Sequence, residues 1–216
     1  MNPMLPGSYT KLSTYEKCPA QANYRWKHKL RTPKGPAADR GIDAHQTAED
    51  YLKGKTKVLH EAVQPYKHVL DSVKRKDPFV EVSIHLTREW KLHPTYEGCW
   101  FTLKMDSAYI EGNRVEVQEW KTGKIYDDHA DQRKLYLLGS SVMWPAAQVY
   151  HIQSYYFDQD KKKKLELTHE ELADVRRDFT SRLTIMENDD IMAPRPGFYC
   201  AWCGYSKYKG GPCRAG

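Results

Sequence analysis

The stretch Glu119-Trp120-Lys121-Thr122-Gly123-Lys124 closes a run, residues 114–121, in which side chains alternate as they do in a β-strand. Side chains two residues apart in a strand lie on the same face. One face therefore carries Val115, Val117, Glu119 and Lys121. A face that begins apolar and ends in a carboxylate and an amine predicts a functional site at the edge of a core. The alternative is a strand with ordinary exposed charges.

A second strand is predicted just before this one, over residues 101–110, and Gly112-Asn113 between them is typical of a two-residue hairpin turn. That turn would place Asp106 opposite Glu119. Two carboxylates about 5 Å apart repel each other by roughly 3 kcal/mol at an effective dielectric constant near 20. A divalent cation, Mg²⁺ or Mn²⁺, is the natural counter-charge for such oxygen ligands. Lys121 would point the same way and could orient or deprotonate a water.

Composition limits the class of protein. A chain of 216 residues is long enough for one domain with a real core. The net charge of +6 suits a polyanionic partner, or only a solvated surface. Fifteen Tyr and six Trp would mostly pack in the core, and some could stack on bases. No signal peptide and no apolar run of spanning length is recognised, so a soluble protein of the cytoplasm is expected, without a membrane partner.

Five cysteines in such a compartment are not expected to form disulfides. Cys200 and Cys203 have the spacing of a chelate, and Cys213 follows on a glycine-rich tail. Cys18 could be a fourth thiolate only if the two ends of the chain meet, and four thiolates would hold zinc or an iron–sulfur cluster. A two-cysteine knuckle with an incidental Cys18 is the alternative. Cys99 is interpreted as a small buried residue.

The remaining pattern predicts helices on both sides of a mostly antiparallel sheet, which is an α/β or α+β core. Helices are predicted over residues 8–30 with a break at Pro19, then over 39–52, 61–76 and 128–144 with Asp128 as N-cap, and last from the capping box of Thr168 and Glu171 to about 188. Further strands are predicted over residues 79–90, 148–157 and 165–167, with the four lysines 161–164 in a turn.

Two helical motifs add candidate site residues. Gly41 and His45 are four residues apart, so they share a face, and a glycine there lets a neighbouring backbone or a substrate come close. Gln132 and Tyr136 have the same spacing and could hold a phosphate or a base. A histidine packed in the core and an ordinary exposed helix face are the commoner explanations for such pairs.

Taken together, these motifs resemble the PD-(D/E)XK nuclease superfamily, in its RecB-like branch with an iron–sulfur cluster. The CRISPR-associated RecB-like exonucleases and AddB-type nuclease domains belong to that branch, and many members are encoded by phages. The motifs occur in the order of the family and span nearly the whole chain. They are Ser8 to Leu12, Cys18-Pro19, Gly41-x-x-x-His45, Asp106, Glu119-x-Lys121-Thr122-Gly123-Lys124, Gln132-x-x-x-Tyr136, and Cys200-x-x-Cys203 with Cys213.

The resemblance implies roles for these residues. It makes residues 1–216 one restriction-endonuclease-like domain with a central mixed sheet. His45, Asp106, Glu119 and the carbonyl of Trp120 would bind Mg²⁺ or Mn²⁺, and Lys121 would be the catalytic lysine. Gln132, Tyr136 and Lys124 would contact DNA. A structural 4Fe-4S cluster on Cys18, Cys200, Cys203 and Cys213 would join residues 1–30 to residues 194–216.

The function implied by the resemblance is a metal-dependent deoxyribonuclease, an exonuclease acting on single-stranded DNA or on DNA ends in repair or recombination. A helicase, a recombinase or another replication or repair protein would be its protein partner, and a phage-encoded member would act in the host cytoplasm. The alternative is a non-catalytic nucleic-acid-binding or recombination accessory protein with a zinc-bound four-cysteine knuckle. That alternative leaves the opposed Asp106 and Glu119 unexplained.

Overall fold

A five-stranded mixed sheet forms the centre of the protein, and the computed structural model describes residues 4–32, 36–126 and 129–215. The strands are β1 (Phe79–Leu86), β2 (Phe101–Glu111), β3 (Arg114–Lys121), β4 (Val149–Tyr156) and β5 (Lys161–Thr168). They lie side by side in chain order, and only the β3–β4 pair is parallel. The predicted mixed α/β sheet is therefore confirmed.

Helices cover both faces of this sheet. They are α1 (Tyr9–Lys17), α2 (Pro19–Ala22), α3 (Pro36–Leu52), α4 (Lys67–Lys74), α5 (His129–Met143) and α6 (Glu171–Asn188). Helices α1, α5 and α6 pack on one face with Val115 and Val117 of β3, forming the main core. Helices α3 and α4 pack on the other face with Trp120. Among the described helices, none combines the length and the apolar character needed to cross a membrane.

The β2–β3 hairpin has the predicted register. Ser107 pairs with Gln118 and Glu111 pairs with Arg114, as a two-residue turn at positions 112 and 113 requires. Gly112 has a φ of 61°, a left-handed conformation that glycine adopts at little cost. The sequence therefore predicted the hairpin register correctly as far as Ser107 and Gln118, and the predicted pair of Asp106 and Glu119 lies beyond the last pair of the ladder.

The turn predicted for the four lysines 161–164 is wrong. These residues begin β5 and pair with Tyr156 to Gln153 of β4, while the chain reverses at Phe157–Gln159 and at Asp160, whose φ is 46°. A row of lysines is compatible with an edge strand, because their charges discourage pairing with another chain. The four lysines form a strand because they pair with β4, and the local sequence gives no sign of that pairing.

Some predicted boundaries also change. The helix expected over residues 61–76 contains Pro65, and regular α-helix begins only at Lys67. The strand expected over residues 79–90 ends at Leu86, because Trp90 has a φ of 58° in a tight turn. The predicted N-cap Asp128 lies outside the described residues.

The predicted capping box at the start of α6 is present. The Glu171 carboxylate accepts hydrogen bonds from the backbone N–H and the hydroxyl of Thr168, and the Glu171 N–H donates to that hydroxyl. The first helix breaks at Cys18, immediately before Pro19, as predicted.

Candidate active site

The end of β3 carries two charged side chains beneath helix α5. Val115 and Val117 lie in the main core, and Glu119 follows on the same face with only 4% of its surface exposed. Lys121 is the last residue of the strand and is largely buried. Strand alternation therefore continues an apolar stripe into an ion pair, because the Lys121 Nζ lies 2.9 Å from Glu119 Oε1.

Asp106 joins this pair from β2. The ladder between β2 and β3 stops at Ser107 and Gln118, and beyond it the Asp106 carboxylate accepts a hydrogen bond from the Trp120 N–H at 2.7 Å. Met105 and Ala108 both lie in the main core although they are three residues apart, so the alternation of β2 shifts between them. This shift occurs at the point where Asp106 meets β3.

The Glu119 carboxylate has one satisfied oxygen and one unsatisfied oxygen. Its Oε1 accepts from Lys121 and from the Gln132 amide at 3.2 Å. Its Oε2 is buried without a hydrogen-bond partner among the described residues. Burial first, and then the Asp106 carboxylate, raises the pKa of Glu119 above its ordinary value. Burial lowers the pKa of Lys121 while Glu119 raises it, and the net shift is upward. The lysine is therefore an ammonium at neutral pH.

Helix α3 brings His45 to the same place. The His45 Nδ1 lies 3.5 Å from Asp106 Oδ1. Burial lowers the pKa of His45 and Asp106 raises it, with a net upward shift. One turn earlier, a Cβ added at Gly41 would lie 2.9 Å from the Thr122 hydroxyl oxygen. The glycine thus allows the Thr122 side chain, in the loop after β3, to approach α3. The Gly41–His45 spacing predicted a close approach by a backbone or a substrate, and the contacting atom is instead a side-chain hydroxyl oxygen.

Helix α5 supplies the amide and the phenol of the second motif. Gln132 donates to both Glu119 and the Tyr136 hydroxyl, the latter at 2.8 Å. Tyr136 is buried, and its pKa is well above the ordinary value because of burial and then the Glu119 charge. Both side chains border a groove beside Ser8 and Thr10. In this structure Gln132 holds Glu119 in position, and a contact of Gln132 or Tyr136 with DNA stays a prediction.

An open cleft leads to this cluster. It is bordered by His45, Asp106, Lys121 and Lys124, and by residues that the sequence did not single out, among them Glu81, Lys104 and His129. Glu81 has a φ of 61°, lies beside the shift in β2 and pairs with Lys104. His129 contacts the Tyr156 hydroxyl at 2.9 Å through its Nδ1. Glu81 and Lys104 reach the cleft through the pairing of β1 with β2, and His129 contacts Tyr156 of β4, so their place depends on residues far away in the chain.

The side chains of this cluster are partly suited to binding a small hard cation. Across residues 4–32, 36–126 and 129–215, no three His, Cys, Asp or Glu side chains form a group arranged to hold a metal ion. Mg²⁺, however, commonly uses one or two carboxylates together with waters and substrate phosphates. Asp106 and Glu119 provide two carboxylates, and Glu119 Oε2 has no hydrogen-bond partner among the described residues. The Trp120 carbonyl stays a predicted ligand.

The four predicted cluster cysteines border one cavity. Cys18 comes from the break between α1 and α2, and Cys200, Cys203 and Cys213 come from the tail. All four are free thiols. The N–H of Arg195 donates to the Cys18 sulfur, and the N–H of Gly197 donates to the Cys200 sulfur, both at 3.4 Å. The sulfurs are not arranged as a metal-holding group in the described structure, so neither iron–sulfur nor zinc is established.

Comparisons with known proteins agree with this fold. Residues 6–107 match the model of the PD-(D/E)XK nuclease superfamily, a range that includes His45 and Asp106 and ends before Glu119. Among curated proteins, none matches the chain significantly.

Two solved structures show the same fold over most of the chain. The crystal structure of SSO0001 has 20% identity and a TM-score of 0.54, covering 96% of this chain and 85% of that one. A "Putative exonuclease" from Eubacterium rectale has 14% identity and a TM-score of 0.53, covering 91% of this chain and 86% of that one. The fold is consistent with the restriction-endonuclease-like fold, and the family match supports nuclease function.

Proposed function

We propose that this chain is a metal-dependent deoxyribonuclease of the PD-(D/E)XK superfamily, in the RecB-like branch. The observation that carries the proposal is the buried Glu119 carboxylate, whose Oε2 has no partner among the described residues while Asp106 and Lys121 stand beside it. A fold gains nothing from an unsatisfied buried carboxylate oxygen unless something binds it. A cation shared with Asp106 would satisfy that oxygen.

Each residue of the cluster then has a defined task. Asp106, Glu119, His45 and the Trp120 carbonyl would hold Mg²⁺ or Mn²⁺, which when bound neutralises the scissile phosphate and lowers the pKa of a water. The Lys121 ammonium donates hydrogen bonds, so it orients the attacking water and stabilises the charge that develops on the phosphate. Gln132 fixes the direction of the Glu119 carboxylate through its 3.2 Å hydrogen bond.

The substrate we propose is single-stranded DNA or the end of a duplex. Lys124 and Lys104 border the cleft and suit a phosphate backbone. Gln132 and Tyr136 border the adjoining groove, which starts at the N-terminal end of α1. The exonuclease name carried by one structural neighbour agrees with this choice and belongs to that protein.

We also propose a structural 4Fe-4S cluster on Cys18, Cys200, Cys203 and Cys213. What supports it is a cavity shared by four free thiols and two backbone N–H groups directed at sulfur. Hydrogen bonds to sulfur are a regular feature of such clusters. Bound to all four, the cluster would join α1 to the tail.

The test of the catalytic assignment is cleavage of labelled single-stranded DNA with Mn²⁺. We expect cutting by the wild type, none with EDTA, and a loss of about 100-fold or more for Lys121→Ala, because removing one group that stabilises transition-state charge has costs of this order. Lys163→Ala, an exposed lysine of β5, is the matched control and should cut normally. A Lys121→Ala protein that cuts at the wild-type rate contradicts the proposal.

The cluster has its own test, which does not depend on activity. Protein purified without oxygen should be brown and contain iron and sulfide, and Cys203→Ser should lose both. Cys99→Ser changes a buried cysteine outside the cavity and should keep them. Zinc in colourless wild-type protein would favour the knuckle instead.

A further inference from the structure

The charge of this protein is unevenly distributed. Residues 17–32 and 191–215, here called the basic end, contain nine Lys or Arg and no Asp or Glu. The whole chain has 34 Lys or Arg and 28 Asp or Glu, a net charge of +6, so the remaining residues sum to −3. The basic end therefore carries nine positive charges while the rest of the chain sums to −3, which makes it a part of the protein that attracts a polyanion.

Three large aromatic side chains of the basic end face solvent. Phe198 is 84% exposed, Trp202 is 75% exposed and Tyr208 is 74% exposed. The rings of Phe198 and Trp202 lie 6.4 Å apart, and Phe198 and Tyr208 border the same open depression. Exposing large aromatic surface forgoes the burial that normally stabilises such residues, so a group of three marks a binding surface.

The backbone that carries these rings is held in place by other aromatic residues. The Tyr199 hydroxyl donates to the Lys17 carbonyl at 2.8 Å, and the Tyr205 hydroxyl donates to the Leu30 carbonyl at 2.9 Å. Tyr199 and Tyr205 therefore fix the tail against residues 17–30. The three exposed rings are thus displayed from an anchored backbone, which reduces the entropy lost when a ligand binds them.

Cations stand next to this aromatic surface. The Lys207 ammonium lies 5.2 Å from the centre of the Tyr208 ring, and the Lys17 ammonium lies 5.1 Å from the Tyr199 ring. Lys17 also borders a second surface depression, which Phe198 and Trp202 line as well. Aromatic faces alternating with ammonium groups match a strand of unpaired nucleotides, whose bases stack and whose phosphates carry negative charge.

We propose that Phe198, Trp202 and Tyr208 form a stacking surface for the bases of single-stranded DNA, outside the catalytic cleft. This proposal rests on the proposed nuclease function. The surface selects single strands because the base faces of a duplex are already stacked on each other. It is tolerant of sequence, because every base offers a flat face. An apolar protein partner would not require the concentration of positive charge found here.

Binding is tested apart from cutting, in EDTA, with a fluorescent oligothymidine of about 16 nucleotides, the upper range of such sites. We expect the wild type to bind it more tightly than a duplex of equal length. Phe198→Ala, Trp202→Ala and Tyr208→Ala should each weaken binding about 5-fold or more. Ile191→Ala is the matched control, since Ile191 is 83% exposed in the same tail but not aromatic, and it should bind normally.

Two further variants separate stacking from simple apolar contact. Trp202→Phe should retain most of the affinity, whereas Trp202→Leu should lose as much as Trp202→Ala. Equal binding by the leucine and phenylalanine variants, or wild-type affinity in all three alanine variants, overturns the proposal and leaves the surface as a protein contact. The binding assay contains EDTA and measures no cutting, so a failure of the nuclease assignment appears in the Mn²⁺ cleavage assay and not here.

Discussion

Replacing Glu119 by Gln should stabilise the metal-free protein while abolishing cutting. The carboxylate is buried, lies near Asp106 and has an unsatisfied oxygen, so its charge opposes folding when no cation is present. Glutamine keeps the shape, and its oxygen can still accept the hydrogen bonds from Lys121 and Gln132. A residue kept for function is thus expected to lower stability.

The magnitude follows from the pKa. Burial, and then Asp106, raises the pKa of Glu119 from 4.5 to about 7. At about 1.4 kcal/mol per pKa unit, the charged form costs roughly 3 kcal/mol above pH 7. The buried amide that replaces it, with one side lacking a partner, costs about 1 kcal/mol. The net gain is about 2 kcal/mol, which for a chain of this length is about 4–8 °C in Tm.

The sign of the pH dependence is fixed by linkage. Between about pH 4.5 and pH 7 the unfolded chain has lost the proton that the folded protein keeps on Glu119. The folding stability contributed by this group therefore falls as the pH rises through this range. Below pH 4.5 the carboxyl is neutral in both states, so the variant and the wild type should differ least there.

The assay is thermal unfolding in EDTA at pH 4.5 and pH 8, repeated with Mg²⁺. Mg²⁺ at 100 times its Kd should add about 2.7 kcal/mol to the wild type and much less to Glu119→Gln. Glu116→Gln is the control on the other face of β3. Burial raises the pKa of Glu116, but His151, at 2.5 Å, and Arg114 together lower it below its ordinary value. The charge of Glu116 therefore stabilises the folded protein, and Glu116→Gln should lower its stability. A Glu119→Gln protein no more stable than wild type at pH 8 refutes the reasoning.

Two close glycine contacts give further predictions. Gly41→Ala should reduce Mn²⁺-dependent cutting about 10-fold with little loss of Tm, because its Cβ would lie 2.9 Å from the Thr122 hydroxyl oxygen and force that side chain, next to Lys121 in sequence, to move. Adding Thr122→Ala should restore part of the activity, and full activity of the single variant would disprove the contact. Gly139→Ala should lower the unfolding free energy by about 1–3 kcal/mol in a urea titration, since its Cβ would lie 2.5 Å from a Leu103 methyl carbon. An unchanged urea midpoint would mean that α5 can move away from β2.

The sequence was sufficient to predict the structure where residues close together in the chain determine it. The turn at Gly112-Asn113 set the register of the hairpin as far as Ser107 and Gln118, and just beyond that pair the Asp106 carboxylate accepts a hydrogen bond from the Trp120 N–H, next to Glu119. The spacing of Gly41 and His45 predicted a close approach, and the structure identifies Thr122 as the neighbour. Both predictions depended on short-range geometry, which residue type and spacing determine.

The sequence was not sufficient to predict the structure where contacts between residues far apart in the chain determine it. The lysines 161–164 form a strand because β4 lies beside them, and Glu81 reaches the cleft because β1 pairs with β2 at a point where φ is 61°. The link from Gln132 to Glu119 needed the packing of α5 over β3. The exposure of Phe198 and Trp202 likewise depends on how the tail packs on residues 17–30.

The hydroxyl bonds of Tyr199 and Tyr205 have a consequence for biosynthesis. Each joins residues more than 170 positions apart, to Lys17 and Leu30. While the ribosome is still making the intervening sheet, α1 has nothing to dock against on this side. Contacts of such long range form late and slowly. A nascent chain stalled before residue 199 would leave the Cys18 thiol and its surroundings uncovered, and we expect chaperones to be recruited there first.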